Sequence, residues 1–132
     1  MKISKTTGYA LLAVGYVARH KDQGIILSQH IAKEYNIPLE YLLKILQQLV
    51  RANILHSKRG PRGGFSLAKP PKKITILEIV EAVEGPLLSN LNLAKQAHGE
   101  KIGAKADQIY AKALAQVRTV FKKAKLADLL RR

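Results

Sequence analysis

The sequence predicts a mainly α-helical domain with a small β-hairpin inserted in it and a long helix appended at its C-terminal end. Three observations carry that prediction. Two short helical patterns meet at a tight turn between Ser28 and Asn53, and a Gly/Pro-rich hairpin with basic residues follows at once. The last stretch, 104–132, has the composition of an extended helix. With 132 residues, 47% of them apolar, the chain has the size of one domain and enough apolar surface for a core.

The elements follow in order. Ser4 to His20 reads as a helix with Ser4 as N-cap, and Tyr9, Leu12, Ala13, Tyr16 and Val17 form an apolar stripe at helical spacing. The stripe places Tyr9, Leu12 and Tyr16 in the core. Asp22-Gln23-Gly24 breaks the pattern, and Ile25-Ile26-Leu27 is a short extended link. Ser28 then caps a second helix carrying Ile31, Ala32 and Tyr35, which Asn36 ends because Asn tolerates a left-handed backbone. Pro38 suits the first turn of a third helix, since its missing N–H is not needed there. That helix buries Leu42, Ile45, Leu46 and Leu49 and reaches about Asn53.

Two short strands, Ile54–Ser57 and Phe65–Ala68, flank the loop Lys58-Arg59-Gly60-Pro61-Arg62-Gly63-Gly64, and Pro70-Pro71 closes the hairpin. Thr75-Ile76-Leu77-Glu78 has the form of a capping box and opens a fourth helix with Ile76, Ile79, Val80 and Val83 on one face, stopped at Gly85-Pro86. Residues 87–103 read as loop or weak helix. From Ala104 onward Ile109, Ala113, Val117, Val120 and Phe121 mark an apolar seam suited to a partner helix from a second subunit, with Leu126, Leu129 and Leu130 beyond it. The chain thus divides into a helical unit with its hairpin (1–86), a loop (87–103), and a long helix with its tail (104–132).

Charge sharpens the function. The net charge is +14, from 23 Lys and Arg against 9 Asp and Glu, which favours a polyanionic partner. The helix–turn–helix followed by a basic, glycine-rich hairpin has the form of a winged helix-turn-helix, and double-stranded DNA is the partner that such a shape fits. The third helix would offer Pro38, Leu39, Glu40, Tyr41 and Lys44 to the major groove, whose base edges carry a donor and acceptor code. The loop would act as a wing, with Lys58 and Arg62 on phosphates and Arg59 suited to a narrow minor groove. Gly60 and Gly63 let its backbone approach closely. Ser28, at a helix N-terminus, could meet a phosphate.

Other classes fit less well. The chain has no cysteine, which removes disulfides, thiol nucleophiles and thiolate metal sites. Its histidines, at positions 20, 30, 56 and 98, are scattered and read as surface or hairpin residues. No P-loop, nucleophile elbow or metal-ligand set points to an enzyme, and Glu78, Glu81 and Glu84 read as a solvated face. A basic RNA-binding module is the alternative, but sequence-specific RNA readout wants exposed aromatics, and the chain has only two Phe and five Tyr. No run reaches the roughly 18 apolar residues of a membrane span. The opening Met1-Lys2-Ile3-Ser4-Lys5 lacks an apolar leader, so a soluble, cytoplasmic, nucleoid-associated protein is expected.

The run Tyr41-Leu42-Leu43-Lys44-Ile45-Leu46, together with Ser57 through Pro70, resembles the Rrf2 family of winged-helix transcriptional regulators, of the IscR, NsrR and CymR type. The opening, with Tyr9-Ala10-Leu11, is similar too. So are Ala82-Val83-Glu84-Gly85-Pro86 and the closing Leu126-Ala127-Asp128-Leu129-Leu130. The resemblance implies homodimers joined through the long C-terminal helix and bound to imperfect palindromes. It places Pro38 to Lys44 in the major groove and Ser57 and Arg59 in the minor groove. It also implies an iron–sulfur cluster held by three cysteines before the dimerisation helix. Here that stretch, Leu91 to Gln108, offers Asn92, Ala94, His98, Ile102 and Ala106 and no thiol, so no cofactor is expected in this chain as written. Either the chain is a member that answers to a protein or small-molecule effector, or its cysteines have been replaced.

Overall fold

The computed structural model describes residues 4–59, 63–89 and 91–131. Helix α1 (Lys5–Arg19) opens on Ser4, whose hydroxyl accepts the Thr7 N–H at 3.4 Å, as the sequence predicts. Its inward face differs from the predicted stripe. Ala10, Ala13, Val14, Val17 and Ala18 are buried, whereas Leu12 is 42% exposed and Tyr9 and Tyr16 sit at the margin of the core. Small residues on the inward face let α1 lie close to its neighbours, which pushes the bulky side chains to the flanks.

A 3₁₀ turn (Lys21–Gln23) and Gly24, at φ +78°, reverse the chain. The link that follows is more than a link: β1 (Ile26–Leu27) joins a three-stranded antiparallel sheet with β2 (Leu55–Lys58) and β3 (Gly64–Leu67), in the order β1-β3-β2. Ile26 pairs with Phe65 and Leu27 with Gly64. The expected hairpin is the β2–β3 part of that sheet, with Ser57 opposite Phe65 and Lys58 opposite Gly64.

Helix α2 (Ser28–Tyr35) ends at Asn36 in the left-handed conformation, φ 53°, as expected. Its start does not: Leu27 holds the N-cap position, no side chain caps it, and Ser28 is the first helical residue, 2% exposed. Helix α3 (Leu39–Arg51) follows Pro38 and buries Leu42, Leu43, Ile45, Leu46 and Leu49. Helix α4 (Ile76–Glu84) is capped by Thr75, whose hydroxyl accepts the Glu78 N–H at 3.0 Å. Only that half of the capping box forms, because the Glu78 carboxylate pairs with Lys69 at 2.8 Å. Gly85, at φ +82°, ends the helix. The core gathers Ile31, Leu46, Leu49, Ile54, Phe65, Ile74 and Ile79 between these helices and the sheet.

Among the described residues of 87–103 a short helix forms, α5 (Leu93–Gln96), ahead of the start of the next helix. Helix α6 (Lys101–Lys123) starts three residues before the expected Ala104 and does not run to the C-terminus. Ala124 and Lys125 are extended, and Lys125 bridges Thr75 in antiparallel fashion. The Leu126 N–H bonds the Ile74 carbonyl at 2.8 Å, and the short helix α7 (Leu126–Leu129) returns to the body with Leu126 fully buried.

Candidate nucleic-acid interface

The outer face of α3 is set by its inner face. Burying Leu42, Ile45, Leu46 and Leu49 turns Glu40, Tyr41, Lys44, Gln47, Gln48 and Arg51 away from the core, at helical spacing. With Thr6 of α1 and the edge of Ile45, these residues line a groove of about 540 Å³. Pro38, Glu40, Tyr41 and Lys44 are exposed and Leu39 is half-buried, so the predicted residues share the leading end of this face. Tyr41 is held in place. Its hydroxyl is hydrogen-bonded to the Thr6 hydroxyl, and its ring meets Tyr9 edge-on at 5.7 Å.

Ser57, Lys58 and Arg59 are exposed at the other end of the face, with Arg59 at φ +65° where the strand gives way to the loop. Gly60 and Arg62, also named from the sequence, lie outside the described residues. Glycine is demanded at the return. A Cβ on Gly63 would stand 2.1 Å from the Lys58 carbonyl oxygen, and one on Gly64 would stand 1.5 Å from Ile25 Cγ2. A recess of about 190 Å³ lined by Gln47, Val50, Arg51, Ser57 and Phe65 joins the end of α3 to the wing. The hairpin and the helix therefore form one continuous surface. Ser28 stands apart from the others, its side chain buried at the start of α2.

Sequence reasoning missed Thr6, Gln47, Gln48 and Arg51. The last three were legible, since they repeat at i+3, i+4 and i+7 from Lys44 on the polar side of an apolar stripe. Thr6 was not, because its place depends on how α1 crosses α3. The glutamates of α4 are not merely a solvated face, as the sequence reading had it. Glu81 accepts from Arg118 of α6 at 2.5 Å and from the Leu87 N–H at 2.8 Å. Glu84 accepts from the Ser4 hydroxyl and, at 2.8 Å, from the Thr7 hydroxyl. Those two hydroxyl donors, Ser4 foremost, hold the Glu84 carboxyl below the ordinary carboxylate range. Pairing takes these carboxylates toward α1 and α6.

The predicted seam of α6 divides. Val117 and Phe121 are half-buried against the chain's own core, while Ile109 is 70% and Val120 64% exposed, with Ala113 open between them. Ile102 and Tyr110 are exposed as well. The two apolar sectors lie about a quarter-turn apart on the helix.

The Rrf2 profile, described as an iron-dependent transcriptional regulator, matches residues 3–132. The chain belongs to the Rrf2 family. Among relatives, a protein of Aquifex aeolicus (strain VF5), of the helix-turn-helix regulator type by name, is 44% identical over 81 residues, 61% of this chain and 56% of its own length. The HTH-type transcriptional regulator IscR of Cereibacter sphaeroides is 32% identical over 111 residues, 83% of this chain and 71% of its own. This Rrf2 chain thus spans little more than half of the Aquifex relative. The solved structure of Staphylococcus aureus CymR superposes with a TM-score of 0.76 at 26% identity, covering 98% of both chains. T. potens IscR superposes at 0.73 and 25% identity, over 98% of this chain and 86% of its own. These neighbours share the winged-helix fold with a long C-terminal helix, and the family is one of regulators rather than enzymes.

The iron in the family's description finds no matching donors here. The chain has no cysteine, and no three His, Cys, Asp or Glu side chains among the described residues come together as a metal site. Between α4 and α6 the Asn92 side chain accepts the Lys95 N–H, and both Asp107 oxygens accept backbone N–H groups. The residues present do not fit an iron–sulfur cluster.

Proposed function

We propose that this chain is a sequence-specific DNA-binding regulator of transcription that acts as a homodimer on a palindromic operator, in the cytoplasm at the nucleoid, repressing by occupancy. The observation that carries the reading is the continuous surface made by the polar face of α3 and the wing, joined at Arg51 and Ser57. An α-helix fits the width of the major groove, and the N-terminal end of such a helix meets base edges. Pro38 and Leu39 lead α3 in. Glu40 accepts from a cytosine amino group, Lys44 donates to guanine or phosphate, and Tyr41 donates to a phosphate. Ser57 and Arg59 reach the minor groove, with Lys58 and Arg62 on its phosphates and Gly60 and Gly63 allowing close approach. Ser28 takes part through the start of α2 rather than through its buried side chain.

The face of α6 supports the homodimer. Ile109, Ala113 and Val120 form an exposed apolar seam, flanked by Val117 and Phe121, and a second copy of the same seam would cover it. Residues 1–86 then read DNA and 104–132 join the subunits. A protein or small-molecule effector would act at 87–103, where Leu88 and Leu91 are exposed.

Two measurements test this. Binding of duplex DNA by fluorescence anisotropy, against structured RNA as competitor, should show preference for the duplex and a steep fall with salt. RNA competing as well as duplex would overturn the DNA reading. Sedimentation should give a dimer for the unmodified chain and a monomer for Ile109→Glu with Val120→Glu. A monomer in both would overturn the dimer.

A further inference from the structure

We infer that residues 92–107 form a brace, ordered without a metal, that the carboxylate of Asp107 closes. A four-residue helix cannot hold itself together in water, because the cost of its first turn exceeds what so few hydrogen bonds return. Helix α5 (Leu93–Gln96) is nevertheless formed, and its first N–H groups, which no helix satisfies internally, all have acceptors. Asp107, reaching from α6, accepts the Leu93 N–H on Oδ1 at 3.0 Å and the Ala94 N–H on Oδ2 at 2.9 Å. Asn92 accepts the Lys95 N–H at 3.3 Å. A carboxylate at a helix N-terminus is also favoured by the helix dipole.

The other end of the brace is a backbone contact. Gly103 is buried, and a Cβ there would stand 2.3 Å from the Leu93 carbonyl oxygen, so α5 and α6 touch main chain to side-chain-free main chain. The turn between them is made by His98 at φ +53° and Gly99 at φ +83°, with the Gly99 N–H bonded to the Ala94 carbonyl at 3.2 Å. Asn92 is exposed and Asp107 half-buried, and the side-chain oxygens of both accept backbone N–H groups of α5. In a cluster-bearing protein, ligand bonds from the loop would order this stretch; here one carboxylate and one glycine contact order it. Asp107 is thus a positioning residue, and the brace keeps its shape whether or not iron is present. The consequence for DNA binding rests on the regulator reading above: affinity does not respond to iron or chelator.

The test uses the full chain and two variants. In Asp107→Ala, amide hydrogen exchange at Leu93 and Ala94 should quicken by at least about tenfold, as expected for losing bonds to a charged acceptor. Asp107→Asn keeps one side-chain carbonyl acceptor and should fall between, while amides of α3 and α4 stay as they were. The unmodified chain, incubated anaerobically with ferrous iron and sulfide, should carry no iron after desalting, and its retention of duplex DNA should be the same with and without chelator. Unchanged exchange in Asp107→Ala would overturn the inference, and so would iron bound in proportion to protein. Failure to bind DNA under every condition would count against the regulator reading alone, since exchange and iron content still decide the brace.

Discussion

Gly63→Ala puts the wing under a strain whose size follows from its geometry. The added Cβ would lie 2.1 Å from the Lys58 carbonyl oxygen, 2.9 Å from Arg59 Cβ and 3.1 Å from the Arg59 carbonyl oxygen. Two of those three neighbours are main-chain atoms, so side-chain rotation cannot relieve the clash. The strand end at Lys58 must move by roughly 1 Å, and overpacking of this kind costs about 1–3 kcal/mol. Lys58 and Arg59 are exposed, so the chain takes up that shift at the strand end rather than by unfolding. Duplex affinity should therefore drop about tenfold or more, on the scale of a misplaced arginine contact in the minor groove. The thermal midpoint should fall by about 3–6 °C for each kcal/mol of that cost. Anisotropy on a selected duplex gives the first quantity and calorimetry the second. Affinity within twofold of the unmodified chain would refute the reasoning, because it would mean that the Lys58–Gly63 geometry does not matter to the interface.

Further expectations are independent of one another. Thr75→Ala removes the hydroxyl that accepts the Glu78 N–H and should cost about 1 kcal/mol in denaturant unfolding. Leu126→Ala, at a fully buried position, should cost about 2–5 kcal/mol. A neutral result would mean that α7 does not return to the body. Lys58→Ala, which removes a proposed phosphate contact, should weaken binding and lower the slope of log affinity against log salt by about one, read from a salt series. Glu84 sits below its ordinary pKa, so it binds protons less readily folded than unfolded. Its contribution to stability is present above the ordinary carboxylate pKa and is lost as pH falls through the lower folded value. Glu84 is exposed, which screens the effect, so Glu84→Gln should flatten the acid side of the stability curve only slightly. Identical acid slopes in both chains would contradict the Ser4 and Thr7 contacts.

What the sequence made legible were features decided locally. Ser4 and Thr75 announced helix starts because a hydroxyl three residues before a free N–H caps it wherever the helix packs. Asn36 announced an end for the same kind of reason. The inner face of α3 followed from one uninterrupted stripe, and with it the outward face that carries Glu40, Tyr41 and Lys44. Features that depend on a distant partner were not legible. Ile26 and Leu27 are too few to announce a strand, and they become one only because Phe65 and Gly64 lie beside them. In α1, small and large apolar residues alternate around the helix, so spacing alone could not tell the inward alanines from the outward Leu12. The seam of α6 read as one stripe but serves two surfaces, since Val117 and Phe121 pack inward while Ile109 and Val120 do not. Glu81 and Glu84 read as solvated because their partners, Arg118 and the Ser4–Thr7 pair, stand 37 or more positions away in the chain.

The most direct test of the central claim is selection of binders from a random duplex DNA pool by the purified chain, at near-physiological salt and without added iron. The account predicts a palindromic consensus, with half-sites about one helical turn or so apart, that is lost in Lys44→Ala with Arg59→Ala. Retention of DNA with no consensus would contradict it, leaving a basic surface that binds phosphates and reads no sequence.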